Sequence, residues 1–325
     1  MTTHTADTAN ASRRMRAISQ DVLGGPETLH ETELDRPELG ISEVLVRVHA
    51  AGLNPTDWKH RSMGLFLGEP PFVLGWDVSG VVEAVGVGVT LFRPGDEVFG
   101  MLPYPHGAGA HAEYVTAPAR AFARKPAGID HVQAGALPLA ALTAWQALAD
   151  TADVREGQRV LVHAAGGGVG HLAVQIAKAR GAYVIGTASA GKHELLRELG
   201  ADELIDYRET DFASAVADVD VVLDTVGSDD YRSRSLRTLR RGGVLVSILP
   251  MNAEQLRAEA EQYGVRTELL IVEADHAGMN EIAALVERGR LRATVAETFP
   301  LEEAAKAHAL GEAGHTAGKL VLTVR

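Results

Sequence analysis

The stretch RVLVHAAGGGVGHLAVQIAKARGAYVIGTAS, residues 159–189, decides the fold. An apolar, β-branched run at Arg159–His163 leads into the glycine-rich turn Ala165–Gly170. A helix-length segment follows, and a second apolar run begins near Tyr183. The stretch therefore predicts a complete strand–turn–helix–strand unit.

The glycines of this turn have a chemical reason. A backbone that passes from strand to helix beneath a pyrophosphate needs residues without a Cβ atom, because the phosphates must approach the amides and the positive helix end. Ala164, Gly167 and Gly170 give the spacing A-x-x-G-x-x-G rather than the strict G-x-G-x-x-G. Within its unit the turn predicts dinucleotide binding. The alternative is a tight turn in an α/β protein that binds no ligand.

The same alternation of strands and helices continues from about Gly135 to Asp275. Strands buried on both faces read as continuous apolar runs, which is typical of a parallel, doubly wound sheet. The predicted strands are Arg159–His163, Tyr183–Thr187, Leu204–Asp206, Val219–Asp224, Gly243–Leu249 and Glu268–Val272. The predicted helices between them are Val169–Arg180, Lys192–Leu199, Asp230–Leu239 and Ala253–Tyr263.

The first third of the chain is β-rich. Val44–Ala51 and Val78–Val85 are apolar runs, and the glycines and prolines between Gly64 and Gly109 mark tight turns of a small β-barrel. The run Lys319–Val324 adds a final strand. We therefore expect a β domain formed by residues 1–124 and 274–325, with 1–14 disordered. An α/β domain formed by residues 125–273 is inserted between the two segments.

Composition excludes several classes of function. The 325 residues contain no cysteine, which removes disulfides, thiolate nucleophiles, cysteine-ligated zinc and iron–sulfur clusters. The net charge of −12 disfavours nucleic acid and anionic membranes as partners. No stretch approaches the roughly 18 apolar residues of a membrane span, and the polar start lacks the apolar core of a signal peptide. We expect a soluble, cytoplasmic protein.

The end of the second predicted strand bears on the cofactor. An NAD site expects Asp or Glu there to hold the ribose 2′-hydroxyl, but this chain has no acid until Glu194. Ser189 and Lys192 provide a hydroxyl and a cation, which suit the 2′-phosphate of NADP. Tyr207, beyond the third strand, can flank the adenine or this phosphate. The alternatives are a solvated lysine and a half-buried packing tyrosine.

Nine blocks, in order, resemble a known family: the zinc-independent quinone oxidoreductases (zeta-crystallin-like) of the medium-chain dehydrogenase/reductase superfamily. The resemblance runs from about residue 15 to the end of the chain. Besides the glycine turn, the blocks are AAGLNPTDWKHRS (50–62), PPFVLGWDVSGVVEAVGVGV (70–89), RPGDEVFG (93–100), GAHAEYV (109–115), LPLAALTAWQAL (137–148), LGADELIDY (199–207), LDTVG (223–227) and GKLVL (318–322).

The resemblance implies a GroES-like β-barrel domain beside a Rossmann domain, with NADPH in the cleft. The zinc-dependent branch has a Cys ligand where this chain has Asn54–Asp57, and Gly-His-Glu where it has Gly75-Trp76-Asp77. None of the 13 histidines is grouped with ligand spacing and a carboxylate. We therefore expect no metal site.

Without a metal, hydride transfer needs a positioned nicotinamide and a group that accepts charge on the substrate oxygen. The resemblance places Asn54 near the nicotinamide, although Asn54 also suits a helix N-cap before Pro55. Many relatives have tyrosine in the place of Lys59, whereas this chain is similar to the subgroup with N-P-x-D-[WF]-K, which includes reductases of α,β-unsaturated carbonyls. Lys59 is then a catalytic or cofactor-binding cation. Its alternative is a solvated helix lysine.

The resemblance also assigns a set of cofactor contacts, each of which has an alternative role in packing. They are Thr143, Gly166, Gly167, Gly168, Val169, Ser189, Lys192, Tyr207, Val226, Gly227, Ile248 and Leu249.

These observations predict an NADPH-dependent oxidoreductase that passes a hydride to a quinone or an α,β-unsaturated carbonyl compound. The alternative is a crystallin-like or redox-sensing protein that binds the cofactor without turnover. We further expect a homodimer that pairs through the apolar run Glu268–Val272, because an exposed strand of this kind invites pairing.

Overall fold

The computed structural model describes residues 14–249 and 252–325. They form two compact units. The first contains the residues up to Leu139 together with Ala274–Ala283 and Val295–Arg325, and the second contains Ala140–Glu273 and Ala284–Thr294. The disorder expected for residues 1–14 lies outside the described residues, except at Arg14. That residue is ordered because it begins a strand and pairs with Asp35.

The described strands, in chain order, are β1 (Arg14–Gln20), β2 (His30–Asp35), β3 (Glu43–Leu53), β4 (Phe72–Val73), β5 (Asp77–Val85), β6 (Glu97–Met101), β7 (Tyr114–Pro118), β8 (Phe122–Arg124), β9 (Arg159–Val162), β10 (Tyr183–Ala188), β11 (Glu203–Asp206), β12 (Val219–Asp224), β13 (Leu239–Ser247), β14 (Arg266–Leu269), β15 (Val295–Pro300) and β16 (Lys319–Thr323).

The described helices are α1 (Pro55–Met63), α2 (His131–Gly135), α3 (Pro138–Trp145), α4 (Gly170–Ala179), α5 (His193–Glu198), α6 (Phe212–Ala215), α7 (Asp229–Leu236), α8 (Ala253–Tyr263), α9 (His276–Glu287) and α10 (Ala304–Glu312). A π-helical turn, Gln146–Thr151, continues α3. Within the described ranges, no helix has both the length and the apolar character needed to cross a bilayer.

The first unit is built from two sheets. A three-stranded sheet has the order β2-β1-β4, and a seven-stranded sheet has the order β15-β16-β3-β5-β6-β8, with β7 paired to β3. Fully buried and half-buried positions alternate along the first part of β3, where Val44, Val46 and Val48 point inward. The strand β16 lies between β15 and β3, so segments distant in sequence share one sheet.

The second unit is a six-stranded parallel sheet in the order β11-β10-β9-β12-β13-β14. Numbered from β9, this is the order 3-2-1-4-5-6 of a Rossmann fold, which confirms the predicted doubly wound sheet. Leu161, Val222 and Leu245, on three adjacent strands, belong to one buried apolar cluster. Because all strands run the same way, the turns that follow them emerge at one edge of the sheet.

Most predicted elements recur with ends that differ by one to three residues. The largest shift is at the start of β13, which was predicted at Gly243 and lies at Leu239. The prediction of a helix over Asp230–Leu239 runs too far, because Thr238 N–H turns back to the Ser235 carbonyl and Leu239 already pairs with Val219 of β12. The predicted strand Glu268–Val272 begins and ends earlier, at Arg266–Leu269.

Candidate active site

The first group of candidate residues surrounds the beginning of α1. Asn54 has extended backbone angles (φ −136°, ψ 156°) and Pro55 occupies the first helical position, so the predicted N-cap is where the sequence places it. The backbone N–H of Asn54 donates to Asp57 Oδ2 at 2.6 Å. The Asp57 carboxyl group therefore accepts the hydrogen bond of the Asn54 backbone N–H and holds the cap residue in place.

The Asn54 side chain belongs to a buried polar cluster with Asp77 and Lys319. Its Nδ2 donates to Asp77 Oδ2 at 2.9 Å, and its Oδ1 accepts a hydrogen bond from Lys319 Nζ. Lys319 Nζ also lies 3.2 Å from Asp77 Oδ2, and the backbone N–H of Leu139 donates to Asp77 Oδ1 at 2.6 Å. The amide of Asn54 therefore has a single satisfied orientation.

Asp57 lies beside this cluster and is fully buried. Its pKa is raised to about 8, first by burial and then by the negative charge of Asp77, against the hydrogen bond from Asn54 and the positive charge of Lys319. Asp57 therefore keeps its proton at neutral pH, and Asp77 and Lys319 form the charged pair of the cluster.

Lys59 lies on a different side of α1 from Trp58 and Arg61. Trp58 and Arg61 face α10: the Trp58 ring centroid is 6.3 Å from that of His308, and Arg61 Nη2 lies 2.8 Å from Glu312 Oε2. Lys59 is half-buried, and no partner for its ammonium group exists among the residues that the structure describes. The structure thus leaves this cation available to a ligand.

Trp76 stands where the zinc-dependent branch has the histidine of its Gly-His-Glu segment. Trp76 is fully buried, with its ring centroid 4.9 Å from that of His60. In the described part of the chain, no group of three or more His, Cys, Asp or Glu residues has a geometry that could hold a metal ion.

The second group of candidate residues lies in the second unit, around the turn from β9 to α4. A Cβ atom on Gly170 would stand 2.3 Å from the Ala164 carbonyl oxygen, and one on Gly166 would stand 2.5 Å from Lys192 Cδ. Ala164 itself has φ +45°, a left-handed conformation that glycine adopts more easily. The turn is therefore a tight cradle at the amino end of a ten-residue helix, and its shape fits a pyrophosphate.

Two cations, Lys192 and Arg208, lie on neighbouring segments beside this cradle. The Lys192 chain lies over Gly166, and its pKa is lowered, first by burial and then by the positive charge of Arg208. Arg208 lies 5.8 Å from the centroid of the Tyr207 ring, which is exposed. Asp206 holds the two segments together, because its carboxylate accepts from the backbone N–H groups of Ala190 and Arg208.

This arrangement places three of the predicted residues in one neighbourhood. The Lys192 backbone N–H donates to the Ser189 carbonyl at 2.9 Å, and Tyr207 directly precedes Arg208. Two like charges held together in this way fit a dianion such as a 2′-phosphate. Sequence reasoning missed Arg208 because it follows a different strand. The signal that could have found it is its position next to Tyr207.

The remaining predicted contacts follow the next strands of the sheet. Asp224, at the end of β12, accepts from the backbone N–H groups of Val226 and Gly227, both at 2.9 Å. A Cβ atom on Gly227 would stand 2.5 Å from Leu249 Cδ1, so the loops after β12 and β13 touch. The Ile248 N–H donates to the Asp224 carbonyl. Thr143 is buried on α3.

With this geometry in view, we compared the chain with known proteins. The model for the alcohol dehydrogenase GroES-like domain matches residues 40–127, and the model for a zinc-binding dehydrogenase matches residues 199–322. The structure of the quinone oxidoreductase from Coxiella burnetii is 38% identical, covers 96% of this chain and 100% of its own, and superposes with a TM-score of 0.89. The chain belongs to the zinc-independent quinone oxidoreductase family of the medium-chain dehydrogenases/reductases.

Two further relatives are similar over nearly their whole length. The Escherichia coli quinone oxidoreductase complexed with NADPH is 31% identical, with a TM-score of 0.83, and covers 95% of this chain and 100% of its own. The 2-haloacrylate reductase of a Burkholderia species is 36% identical over 92% of this chain and 96% of its own. These matches confirm the GroES-like and Rossmann domains, and they make this family member an oxidoreductase with a nicotinamide cofactor.

Proposed function

We propose that this quinone oxidoreductase family member is an NADPH-dependent reductase that passes a hydride to a quinone or an α,β-unsaturated carbonyl compound without a metal ion. The observation that carries the proposal is that Asp206 joins the segments of Lys192 and Arg208 beside the glycine turn. A pair of cations favours the 2′-phosphate that distinguishes NADPH from NADH, because each adds a charge-assisted hydrogen bond to the dianion.

Residues of the second unit hold the cofactor in this proposal. Gly166, Gly167, Gly168 and Val169 present backbone amides to the pyrophosphate, and Gly170 begins the helix behind them. Ser189, Lys192, Tyr207 and Arg208 surround the 2′-phosphate and the adenine. Further contacts come from Thr143, Val226, Gly227, Ile248 and Leu249. The bound nicotinamide supplies the hydride.

Residues around α1 act on the substrate. The addition of a hydride to a conjugated carbonyl compound leaves negative charge on the oxygen, and the ammonium group of Lys59 stabilises that charge. Asn54 orients the reacting groups, since Lys319 and Asp77 fix its amide. If a Lys59→Ala variant keeps both its activity and its affinity for NADPH, this role of Lys59 is wrong.

A second candidate is a protein that binds the cofactor without turnover, as crystallin-like and redox-sensing proteins do. The two candidates are separated by following the oxidation of NADPH and NADH with 1,4-benzoquinone, 9,10-phenanthrenequinone and small enones. We expect turnover with at least one carbonyl acceptor and a preference for NADPH. Tight binding of NADPH with no turnover across the panel would support the binding protein. Equal use of NADH would contradict the role of the two cations.

We also propose that the protein is a cytoplasmic homodimer. The strand β14 forms one edge of the parallel sheet, and such an edge pairs readily with a second copy. Light scattering tests this proposal, since a monomer at micromolar concentration would contradict it.

A further inference from the structure

Tyr104 lies in the loop between β6 and β7 of the first unit, and two rings hold it. Its ring packs edge-on against Trp76, with centroids 5.4 Å apart at 71°, and edge-on against His60, at 6.4 Å and 78°. The side chain is part-exposed, whereas Trp76 and His60 are buried. The phenol is therefore fixed in position with one side toward solvent.

A chain of hydrogen bonds connects His60 through Thr56 to the Tyr104 hydroxyl. His60 Nδ1 lies 2.8 Å from the Thr56 carbonyl oxygen and 3.1 Å from Thr56 Oγ1. A carbonyl oxygen can only accept, so the proton of this imidazole is on Nδ1. Burial lowers the pKa of His60, which keeps the ring neutral. Thr56 Oγ1 shares this proton with the carbonyl oxygen, and its own hydroxyl donates to Tyr104 Oη at 3.2 Å.

Tyr104 is the end of this chain. Its oxygen accepts from Thr56, and its own hydrogen has no acceptor among residues 14–249 and 252–325. The donors therefore follow one another from His60 to Thr56 to Tyr104. The hydroxyl hydrogen of Tyr104 is left free to bind a ligand. A preorganised donor of this kind favours an oxygen that gains negative charge.

An aromatic surface adjoins this donor. Phe66 is 50% exposed, and its ring centroid is 5.9 Å from that of His60, the ring that also contacts Tyr104. His106 packs edge-on against Phe66 at 6.0 Å, and its Nδ1 lies 3.2 Å from the Phe66 carbonyl oxygen. The two loops that carry Phe66 and Tyr104 are therefore held together, with an exposed ring beside a phenolic donor.

Lys59 lies close to this surface along the helix. Thr56 and Lys59 are three residues apart on α1, and side chains with this spacing are neighbours on one face. The face that carries Thr56, Lys59 and His60 is distinct from the face of Trp58 and Arg61 that packs on α10.

We infer that the Tyr104 hydroxyl is a further catalytic group, which donates a hydrogen bond to the carbonyl oxygen of a planar, conjugated substrate lying against Phe66. This inference rests on the proposed function and assigns its substrate surface. Thr56 and His60 are positioning residues, because they act through Tyr104. The bond strengthens as the oxygen becomes an enolate or hydroquinone anion, so it accelerates the transfer rather than merely binding the substrate. Solvent supplies the proton that the oxygen finally takes.

The test begins with Tyr104→Phe, which removes only the hydroxyl. We expect kcat/KM for 9,10-phenanthrenequinone and for a small enone to fall by about 10- to 100-fold, since one donor to an oxyanion has an effect of this order or larger. The Kd for NADPH and the Tm should stay unchanged. Tyr183→Phe is the matched control, because Tyr183 is a part-exposed tyrosine of the second unit, and it should leave kcat/KM unchanged.

A second readout does not depend on turnover. With 9,10-phenanthrenequinone bound to the enzyme–NADP⁺ complex, the infrared carbonyl stretch should lie at lower frequency in the wild type than in Tyr104→Phe, because a hydrogen bond weakens the C=O bond. Thr56→Val should reduce the same shift and lower kcat/KM, whereas Thr56→Ser should restore both. This pair keeps the inference testable if Tyr104→Phe fails to fold.

Each outcome decides between the claims. If the wild-type enzyme fails to oxidise NADPH with every quinone and enone tested, the proposed function is wrong and this inference is wrong with it. If the wild type is active but Tyr104→Phe matches it in kcat/KM, or shows the same carbonyl frequency, only the role of Tyr104 is wrong.

Discussion

Lys319 Nζ lies 3.2 Å from Asp77 Oδ2, and the two side chains are 2% and 0% exposed. A pair of opposite charges that is removed from water in this way is held by its hydrogen bonds. Here the remaining atoms of the pair are satisfied by Asn54 and by the backbone of Leu139. The pair therefore fixes the residue that begins α1.

Removal of either charge of the buried pair should strongly lower the free energy of unfolding. Lys319→Met leaves Asp77 as an uncompensated buried charge, and we expect the free energy of unfolding to fall by about 3–5 kcal/mol. Urea unfolding measures this loss. Lys306→Met is the control, because Lys306 pairs with Glu303 on the surface and such pairs contribute about 0–1 kcal/mol. Similar losses in the two variants would contradict a structural role for the buried pair.

The proton on Asp57 should make stability depend on pH. Its folded pKa, about 8, lies above the ordinary value of 3.8, so the folded state binds more protons between these limits. The stabilisation is fully present below the ordinary pKa and is lost as the pH rises through the folded one. Within this window, wild-type stability should fall by about 1.4 kcal/mol per pH unit relative to Asp57→Asn, which cannot titrate.

Urea unfolding at pH 5, 6.5 and 8 measures the difference between Asp57→Asn and the wild type. Glu302→Gln, at an exposed position, controls for the loss of an acid. Parallel pH profiles for the wild type and Asp57→Asn would show that Asp57 is ionised in the folded protein.

Cofactor preference should depend on Arg208. Arg208→Ala removes one of the two cations beside the glycine turn, and we expect the Kd for NADPH to rise about tenfold, in line with the loss of a charge-assisted hydrogen bond. The Kd for NADH should not change, because NADH has no 2′-phosphate. Fluorescence titration measures both constants, with Arg257→Ala on α8 as an exposed control. Equal weakening of both cofactors would contradict a phosphate contact.

The glycine turn should tolerate no side chain at Gly170. A Cβ atom there would stand 2.3 Å from the Ala164 carbonyl oxygen, so Gly170→Ala must displace the backbone. We expect a loss of about 1–3 kcal/mol in stability and weaker NADPH binding. Gly191→Ala is the control, since a Cβ atom at Gly191 has open space, and we expect it to be neutral or stabilising by up to about 1 kcal/mol. Equal effects in thermal unfolding would contradict the tight cradle.

The second unit was largely predictable from sequence because its signals are local. The strands β9, β10 and β12 are continuous apolar runs, which are typical of a parallel sheet covered on both faces. The glycine turn marks where the first helix of this unit starts. The helix after Asp229 was predicted too long, since nothing local in the sequence marks the reversal at Thr238.

The buried cluster in the first unit could not be found in the same way. Asp77 and Lys319 are 242 residues apart and meet only through the sheet, in which Leu320 of β16 pairs with Leu53 of β3. In the sequence, Lys319 is simply the first residue of a strand. The hydrogen bond between Thr56 and Tyr104 could not be predicted from the sequence either, because these residues meet only in the folded chain.

The strand order of the first unit has a consequence for synthesis on the ribosome. The six strands of the parallel sheet are complete once Leu269 has been translated, whereas the seven-stranded sheet lacks β16, the strand between β15 and β3, until Thr323. A nascent chain can therefore form the parallel sheet first, while Ala50–Leu53 of β3 still lack their partner strand β16 and Asp77 lacks Lys319. The seven-stranded sheet and the buried pair of Asp77 and Lys319 can therefore be completed only at the end of synthesis.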